Sequence, residues 1–187
     1  DIDALVTSNV LFGIQLLEAS VNAEVELFVN TGTFWQHYGG EDAYDPTCLY
    51  AATKEAFEGI LEYYVRAEGL SAVTLVLFDV YGPNDERRKL FRFLRQAQMS
   101  TTRVKMSPGR QQLDLVFIDD VIDAYLAVAG LTKSNPCLGG CRYAVGSGVR
   151  RTLREIVRTY EEVSGMPVPV EWGGRPYRAR EVMRPWS

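Results

Sequence analysis

Hydrophobic residues follow two alternating patterns along this chain. Short runs of consecutive apolar residues are typical of strands covered on both faces, and longer stretches with apolar residues every three or four positions are typical of amphipathic helices. The predicted strands cover residues 25–31, 72–78, 113–118 and 143–145, and the predicted helices cover 10–18, 50–68, 86–98, 120–129 and 153–164. Strands alternating with such helices indicate βαβ units and a parallel sheet, so the expected fold class is α/β.

Local signals mark the ends of several elements. Gly69 follows the long helix, and Asp119 or Asp120 can cap the helix after the third strand. Thr152 and Glu155 have the spacing of a capping box, in which two side chains satisfy backbone N–H groups at the helix start. The part after residue 164 is rich in Gly, Pro and Arg and is expected to be irregular.

Composition narrows the class of protein. The 187 residues carry a net charge of −4, which excludes a broad basic surface for nucleic acid. No uninterrupted apolar run approaches the roughly 18 residues of a membrane span, and no signal peptide opens the chain. Three cysteines, an odd number, argue against a secreted disulfide framework and favour a cytoplasmic protein. Cys137 and Cys141 are near each other but far from the single histidine, His37, so no metal site is expected.

The start of the long helix holds the most informative local feature. Helical spacing extends its apolar stripe, from Phe57 to Val65, back to Lys54 and Tyr50, one turn apart. A buried ammonium costs free energy unless something pairs with it, and beside the phenol it is expected to lower the pKa of Tyr50 from about 10 toward neutrality. Such a tyrosine can donate or accept a proton at physiological pH. The structural alternative is a helix-start tyrosine with a lysine extending past it to solvent.

The segments around this helix resemble a known family. The predicted strand before it ends in Thr31-Gly32-Thr33, and three further segments match in order: LFDVYGPN at 77–84, DLVFIDDV at 114–121 and YAVGSG at 143–148. With Y-x-x-x-K they resemble the extended short-chain dehydrogenase/reductase (NAD-dependent epimerase/dehydratase) family, which acts on nucleotide sugars. The resemblance covers nearly the whole chain. It implies a partial Rossmann-type doubly wound parallel sheet plus a smaller C-terminal substrate-binding part.

The resemblance implies roles for the matching positions. Tyr50 is expected to be the acid/base, Lys54 to bind the nicotinamide ribose, and Thr33 to hydrogen-bond the reacting sugar oxygen. The cofactor, NAD or NADP, is expected to contact Thr31, Tyr50, Lys54, Phe78, Asp79 and Val80. The nucleoside diphosphate sugar is expected to contact Thr33, Trp35, His37, Asn84, Arg87, Lys89, Arg110, Arg175 and Arg178. Arginine suits a diphosphate because its guanidinium binds phosphate oxygens bidentately.

Each of these assignments has a structural alternative. A strand-end hydroxyl commonly satisfies backbone groups, a loop histidine is commonly structural, and most of the arginines can be solvated surface. One position departs from the family pattern, because Leu113 stands where an arginine often precedes the Asp114 motif; Arg110 is the candidate substitute.

The resemblance also narrows the chemistry. Sugar-nucleotide 4,6-dehydratases of the family carry an Asp-Glu pair where this chain has Gly32-Thr33, so the elimination of water is not expected. The segments at 31–38, 107–109 and 172–181 are similar to the CDP-abequose/CDP-paratose synthase group, which reduces a CDP-4-keto-3,6-dideoxyhexose in O-antigen deoxysugar biosynthesis. A reductase is therefore the leading hypothesis. A 4-epimerase of the same family and a non-enzymatic binding module are the alternatives.

The cofactor fingerprint of the family is absent from this sequence. Glycines occur nowhere at G-x-G-x-x-G spacing, although the family opens with such a turn. We therefore expect a fragment that lacks about 80 to 90 N-terminal residues, at roughly 30 residues per βαβ step. Residues 1–84 would end the dinucleotide-binding domain and 85–187 would form mainly the substrate part, with 111–130 returning to the first domain. Relatives imply a homodimer through a four-helix bundle.

Overall fold

The computed structural model describes residues 1–40, 44–87, 89–130 and 139–186, so the predictions about Cys137 lie outside the described residues. The helices are α1 (Ile2–Val6), α2 (Phe12–Asn22), α3 (Leu49–Ala67), α4 (Leu90–Gln98), α5 (Ile118–Gly130) and α6 (Leu153–Ser164). The strands are β1 (Phe28–Thr33), β2 (Ala72–Leu77), β3 (Asp79–Tyr81), β4 (Val104–Met106), β5 (Gln112–Phe117), β6 (Gly139–Val145), β7 (Arg150–Thr152) and β8 (Val170–Trp172).

The main sheet is parallel, in the order β1-β2-β6, which confirms the predicted α/β class. Its register places Thr33 opposite Leu77 and Leu77 opposite Val145, so the carboxyl ends of all three strands meet at one edge. The predicted first strand began too early. Val25 lies in the turn that follows α2, where its N–H donates to the Ser20 carbonyl, and β1 begins at Phe28.

The chain changes sheets at Phe78. β2 ends at Leu77, and β3 begins at Asp79 in a second sheet of order β3-β5-β7, in which β5 and β7 are antiparallel. The predicted strand 72–78 matches β2 to within one residue, but β3 was not predicted, because the apolar run ends at Phe78. The helix predicted from residue 86 also starts later, at Leu90.

Helices cover both faces of the main sheet. Leu17 of α2 and Phe57 and Leu61 of α3 pack with Ala72 on one face. On the other face, Val121 and Val128 of α5 pack against Val73 and Leu75 of β2, burying the central strand on both sides.

A separate apolar cluster joins α4, α6, β4 and β8. Leu94, Met106, Leu153 and Val157 form its buried centre. The predicted capping box at Thr152 and Glu155 is present at the start of α6. β5 lies between the two clusters, because Val116 packs with the main sheet and Leu113 with the second cluster. The division into residues 1–84 and 85–187 stays a prediction.

The N-terminal helices form one continuous rod with a π-helical turn, Thr7–Leu11, between α1 and α2. By length and composition the span Ile2–Asn22, which has a mean hydropathy of 1.4, could cross a membrane. Few of its residues are buried inside the structure. It reaches that hydropathy without an uninterrupted apolar run. One of its faces already meets protein, since Leu17 is fully buried against α3 and Asn9 is bonded to that helix.

Candidate active site

Thr33 closes β1 at the edge where the strand ends meet. It is buried, and it is the N-cap of a short 3-10 helix, Phe34–Gln36. Its hydroxyl accepts a hydrogen bond from the Trp35 N–H at 3.4 Å, and its own N–H donates to Oε1 of Gln36 at 2.8 Å. The long first bond holds the hydroxyl only weakly. Thr33 therefore has a fixed backbone and a hydroxyl that can turn toward another acceptor or donor.

Tyr50 and Lys54 lie on the first turns of α3, as their spacing predicted. Nζ of Lys54 is 6.0 Å from the centroid of the Tyr50 ring, and Tyr50 is 38% exposed. The phenol is thus half-covered but open to a ligand.

The predicted lowering of the Tyr50 pKa is wrong for this chain. Burial raises the pKa of Tyr50, Cys48 adds to the rise, and the Arg87 guanidinium opposes it. Burial likewise lowers the pKa of Lys54, against the favourable charge of Glu58. Desolvation is the largest cause for both groups, and Lys54 is not among the groups that shift the pKa of Tyr50.

A further residue near Tyr50 was not found from the sequence. Nδ2 of Asn9, in the π-helical turn, donates to Oγ1 of Thr53 at 2.9 Å, and that hydroxyl donates to the Tyr50 carbonyl at 2.9 Å. The turn rotates Asn9 toward α3. A π turn leaves no mark on apolar periodicity, so the contact could not be predicted.

A cavity of about 170 Å³ lies beside the end of β3. It is lined by Val80, Tyr81, Gly82, Pro83, Asp85, Arg87 and Ile118. Arg87 is held by two bonds to the Asp85 carboxylate, of 2.7 and 2.8 Å. Because the charge of Arg87 reaches Tyr50, the cavity and the phenol belong to one region. Asn84, in the left-handed conformation at φ 60°, forms the turn that leads to Arg87.

Cations and carboxylates meet around Asp79. Burial raises the pKa of Asp79 to about 6, and the carboxylates of Asp114 and Glu181 add to the rise, whereas Lys89 and Arg178 oppose it. The structure thus brings Lys89 and Arg178 to the start of β3, which follows the end of β2. They are two cations near the sheet edge where a diphosphate could bind.

Asp114 has a different function within this region. Its carboxylate accepts hydrogen bonds from the N–H groups of Ser147 and Gly148 and from the Ser147 hydroxyl, at 2.7 to 3.0 Å. This holds the loop after β6 against β5.

Other predicted site residues lie further from the cavity. Thr31 is hydrogen-bonded to Tyr125 of α5, on the opposite face from α3. Phe78 is buried in a stack with Phe34, at 5.0 Å between ring centroids, so only its backbone is available to a ligand. Trp35 packs beside that stack.

The remaining candidates are placed in the C-terminal half and beneath α3. The backbone N–H of Arg110 donates to the Tyr177 hydroxyl, and that of Arg175 donates to Met106, with both side chains exposed. His37 is buried, 2.8 Å from the Arg142 guanidinium and edge-on to Trp186. These three are not brought to the 170 Å³ cavity.

A buried polar layer beneath α3 was missed entirely. Nε2 of Gln36 donates to Glu55 at 2.6 Å and to Glu58 at 2.9 Å, and Glu58 pairs with Arg142 of β6 at 3.4 Å. The sequence did not predict that Glu58 is buried, because a glutamate on a helix is usually exposed to solvent. The helical spacing 50–54–58 was the signal available.

No group of three or more metal-binding side chains occurs within residues 1–40, 44–87, 89–130 and 139–186.

The fold and the site together define a class of protein. β1 of the parallel sheet ends at Thr33, at the edge where open α/β sheets bind ligands, and Gln36 just beyond it is bonded to α3, whose first turns carry Tyr50 and Lys54. The chain belongs to the NAD dependent epimerase/dehydratase family, whose sequence model matches residues 1–146. The predicted family is therefore confirmed, and the family is NAD-dependent.

Particular relatives cover most of this chain. CDP-abequose synthase of Yersinia pseudotuberculosis is 29% identical over 170 residues, which are 91% of this chain and 58% of that enzyme. UDP-glucose 4-epimerase of Mycolicibacterium smegmatis is 30% identical over 173 residues, which are 86% of this chain and 54% of the relative. The crystal structure of Thermus thermophilus UDP-glucose 4-epimerase in complex with NAD has a TM-score of 0.77 at 28% identity, covering 94% of this chain and 60% of that one. The chain thus spans less than two thirds of the length of these relatives.

Proposed function

We propose that the full-length protein is an NAD(P)-dependent reductase of the 4-keto group of a nucleoside diphosphate deoxyhexose. The observation that carries this proposal is the order of the elements: β1 ends at Thr33, Gln36 just beyond it is bonded to α3, and α3 carries Tyr50 and Lys54 on its first turns, with glycine rather than a carboxylate at position 32. Reduction of a ketone requires a hydride, a proton donor and a group that orients the oxygen. The similarity to CDP-abequose synthase supports the choice of a keto-sugar nucleotide.

The residues present fit the nicotinamide end of the cofactor. Tyr50 is 38% exposed and Lys54 lies half-buried beside its ring, so a ligand can reach both side chains. Tyr50 and Lys54 would bind the nicotinamide ribose, and the reduced nicotinamide supplies the hydride when bound. The glycine-rich turn that holds the pyrophosphate is not part of this sequence.

The protein's own groups supply the proton. Because burial raises the pKa of Tyr50, the phenol is protonated at neutral pH and can donate its proton to the oxygen at C4. Thr33 would hydrogen-bond the same oxygen. Arg87, Lys89 and Arg178 would hold the two phosphates, since the charges of Lys89 and Arg178 act at Asp79, the start of β3, and the charge of Arg87 acts at Tyr50.

Replacing Tyr50 with Phe in the full-length protein tests the proposal. We expect kcat with a CDP-4-keto-deoxyhexose to fall by roughly 10²- to 10⁴-fold, because the proton donor is lost. The matched control is Tyr63→Phe, which removes an exposed phenol bonded to Glu68 on the same helix. Circular dichroism checks that both variants fold. Turnover retained in Tyr50→Phe would contradict the proposal.

A 4-epimerase is the second candidate, because the chain is 30% identical to a UDP-glucose 4-epimerase. The two reactions differ in their use of the cofactor. A reductase oxidises one NAD(P)H for each ketone reduced, whereas an epimerase returns the hydride to the sugar. The absorbance of reduced nicotinamide during turnover distinguishes them.

The proposal also includes the setting of the enzyme. We place it in the cytoplasm, without nucleic-acid or membrane partners, and as a homodimer through a four-helix bundle. The exposed apolar side chains of the N-terminal helices and α3 support the dimer, including Phe12 at 54%, Leu11 at 50% and Leu49 at 51%.

A further inference from the structure

Glu58 is a buried carboxylate with no place in the proposed chemistry. Its side chain is only 10% exposed, because it lies on the face of α3 that packs against the sheet. A buried carboxylate costs free energy unless hydrogen bonds and opposite charges compensate for it. The chain supplies both, since Gln36 donates to Oε1 and Arg142 pairs with Oε2.

The sequence also leaves room for this carboxylate. A Cβ on Gly32 would lie 2.8 Å from Oε1 of Glu58 and 3.2 Å from Oε1 of Gln36. Any side chain at position 32 would therefore displace the carboxylate or the amide. Gly32 is the neighbour of Thr33. The last two residues of β1 therefore have two roles, because Gly32 leaves space for Glu58 and Thr33 is the candidate site residue.

The position of Glu58 on the helix links it to the catalytic pair. Tyr50, Lys54 and Glu58 are spaced four apart and lie on one side of α3, each a turn from the next. Glu58 favours the charged form of Lys54, whereas burial disfavours it. Glu58 is itself fixed from below by Gln36, whose amide oxygen accepts the Thr33 N–H.

We propose that Glu58 is a positioning residue for the reaction: held by Gln36 and Arg142 one helical turn from Lys54, it orients the Lys54 ammonium beside Tyr50. This inference rests on the proposed function for its effect on turnover. Glu58 touches neither substrate nor cofactor in this role. It acts through Lys54, and Gln36 couples it to the end of β1.

The other charged groups around the layer are few among the described residues. On α3 they are Tyr50 and Glu55; from other elements, Arg142 of β6 and His37 act on Glu58, and Arg87 and Cys48 act on Tyr50. Burial raises the pKa of Glu58, Glu55 adds to the rise, and Gln36, Arg142 and His37 oppose it. Loss of these partners would weaken the support for Lys54.

The test compares Glu58→Gln with Glu55→Gln in the full-length protein. Both glutamates accept a bond from Gln36, but only Glu58 influences Lys54. We expect Glu58→Gln to reduce kcat at pH 8 by roughly tenfold, to leave KM for the sugar nucleotide nearly unchanged, and to move the alkaline limb of the kcat profile to lower pH. Glu55→Gln should leave that limb in place.

A second readout does not depend on turnover. Trace labelling with acetic anhydride modifies only the unprotonated amine. Followed by mass spectrometry, it therefore measures the fraction of Lys54 that is unprotonated at each pH. The midpoint for Lys54 should fall in Glu58→Gln and stay at the wild-type value in Glu55→Gln. An unchanged midpoint in Glu58→Gln would overturn the proposal.

Further variants separate the possible outcomes. Glu58→Asp keeps the charge and should restore most of the wild-type midpoint, which a purely structural role would not predict. If Glu58→Gln does not fold, Gln36→Met removes the donor to Glu58 and should shift the midpoint in the same direction. The Lys54 midpoint can shift in Glu58→Gln even if the wild-type protein turns over no nucleotide sugar. In that case the proposed function fails, but the effect of Glu58 on Lys54 stands.

Discussion

At the scale of single residues, burial decides the charge state of the groups around the site. Tyr50, Lys54, Glu58 and Asp79 all have a pKa displaced toward the neutral form, and burial is the first cause for each. These four side chains are therefore partly withdrawn from water by the fold itself. Hydrogen bonds and charges in such a place are stronger than at the surface.

Asp79 gives a stability prediction. Its pKa rises from 3.8 to about 6 on folding, so the folded state binds its proton more tightly than the unfolded state. The charged carboxylate therefore destabilises the fold fully above pH 6, and this cost disappears as pH falls toward 4. We expect Asp79→Asn to stabilise the protein by about 1–3 kcal/mol at pH 7.5 and by almost nothing at pH 4.

Urea unfolding of the nucleotide-free protein at the two pH values measures this difference. Comparing variant with wild type at each pH removes the contribution of the other carboxylates. A difference that stays constant between pH 4 and 7.5 would contradict the assignment.

At the scale of elements, the contact between α2 and α3 depends on a glycine. A Cβ on Gly13 would lie 2.4 Å from Cε2 of Phe57, whose ring is buried in the same face. Gly13 thus lets the two helices approach closely. Gly59, on the exposed side of α3, has no atom within 4 Å of such a Cβ.

Alanine at the two positions should have opposite effects. Gly13→Ala is expected to destabilise the fold by about 1–3 kcal/mol, because the methyl group overpacks against the Phe57 ring. Gly59→Ala should stabilise it by about 0.5–1 kcal/mol through helix propensity. Thermal unfolding of both variants measures the change in the free energy of unfolding. Stabilisation by Gly13→Ala would contradict the prediction, because it would show that the two helices can move apart at low cost.

At the scale of the whole molecule, several exposed apolar side chains lie on the N-terminal helices and α3. Ile2, Phe12 and Leu16 are 64%, 54% and 42% exposed on the N-terminal helices, and Tyr63 is 56% exposed on α3. Where exposed apolar side chains form a contiguous surface, that surface commonly marks an interface with another protein. The proposed homodimer would cover it.

Charge on this surface should separate the subunits. We expect Phe12→Glu combined with Leu16→Glu to convert the full-length dimer to a monomer, because a buried unpaired carboxylate opposes association. Val163→Glu, at a side chain 84% exposed on α6, is the matched control and should leave the dimer intact. Size-exclusion chromatography with light scattering gives the masses. A wild-type monomer would refute the proposed bundle.

Much of this protein is determined by its sequence alone. The alternation of strands and helices, the stop at Gly69, the capping box at Thr152 and the pairing of Tyr50 with Lys54 all depend on neighbours within about one helical turn or one strand. Such local patterns can be predicted from the sequence because neighbouring residues determine periodicity and capping.

Only the tertiary structure decided the rest. The change of sheet at Phe78, the approach of Asn9 to Thr53, the buried position of Glu58 and the direction of the Tyr50 pKa each depend on residues distant in the chain. Burial and electrostatics are properties of the packed whole. Tyr50 shows the difference: its neighbour Lys54 predicted a lowered pKa, but desolvation by the surrounding fold raises it.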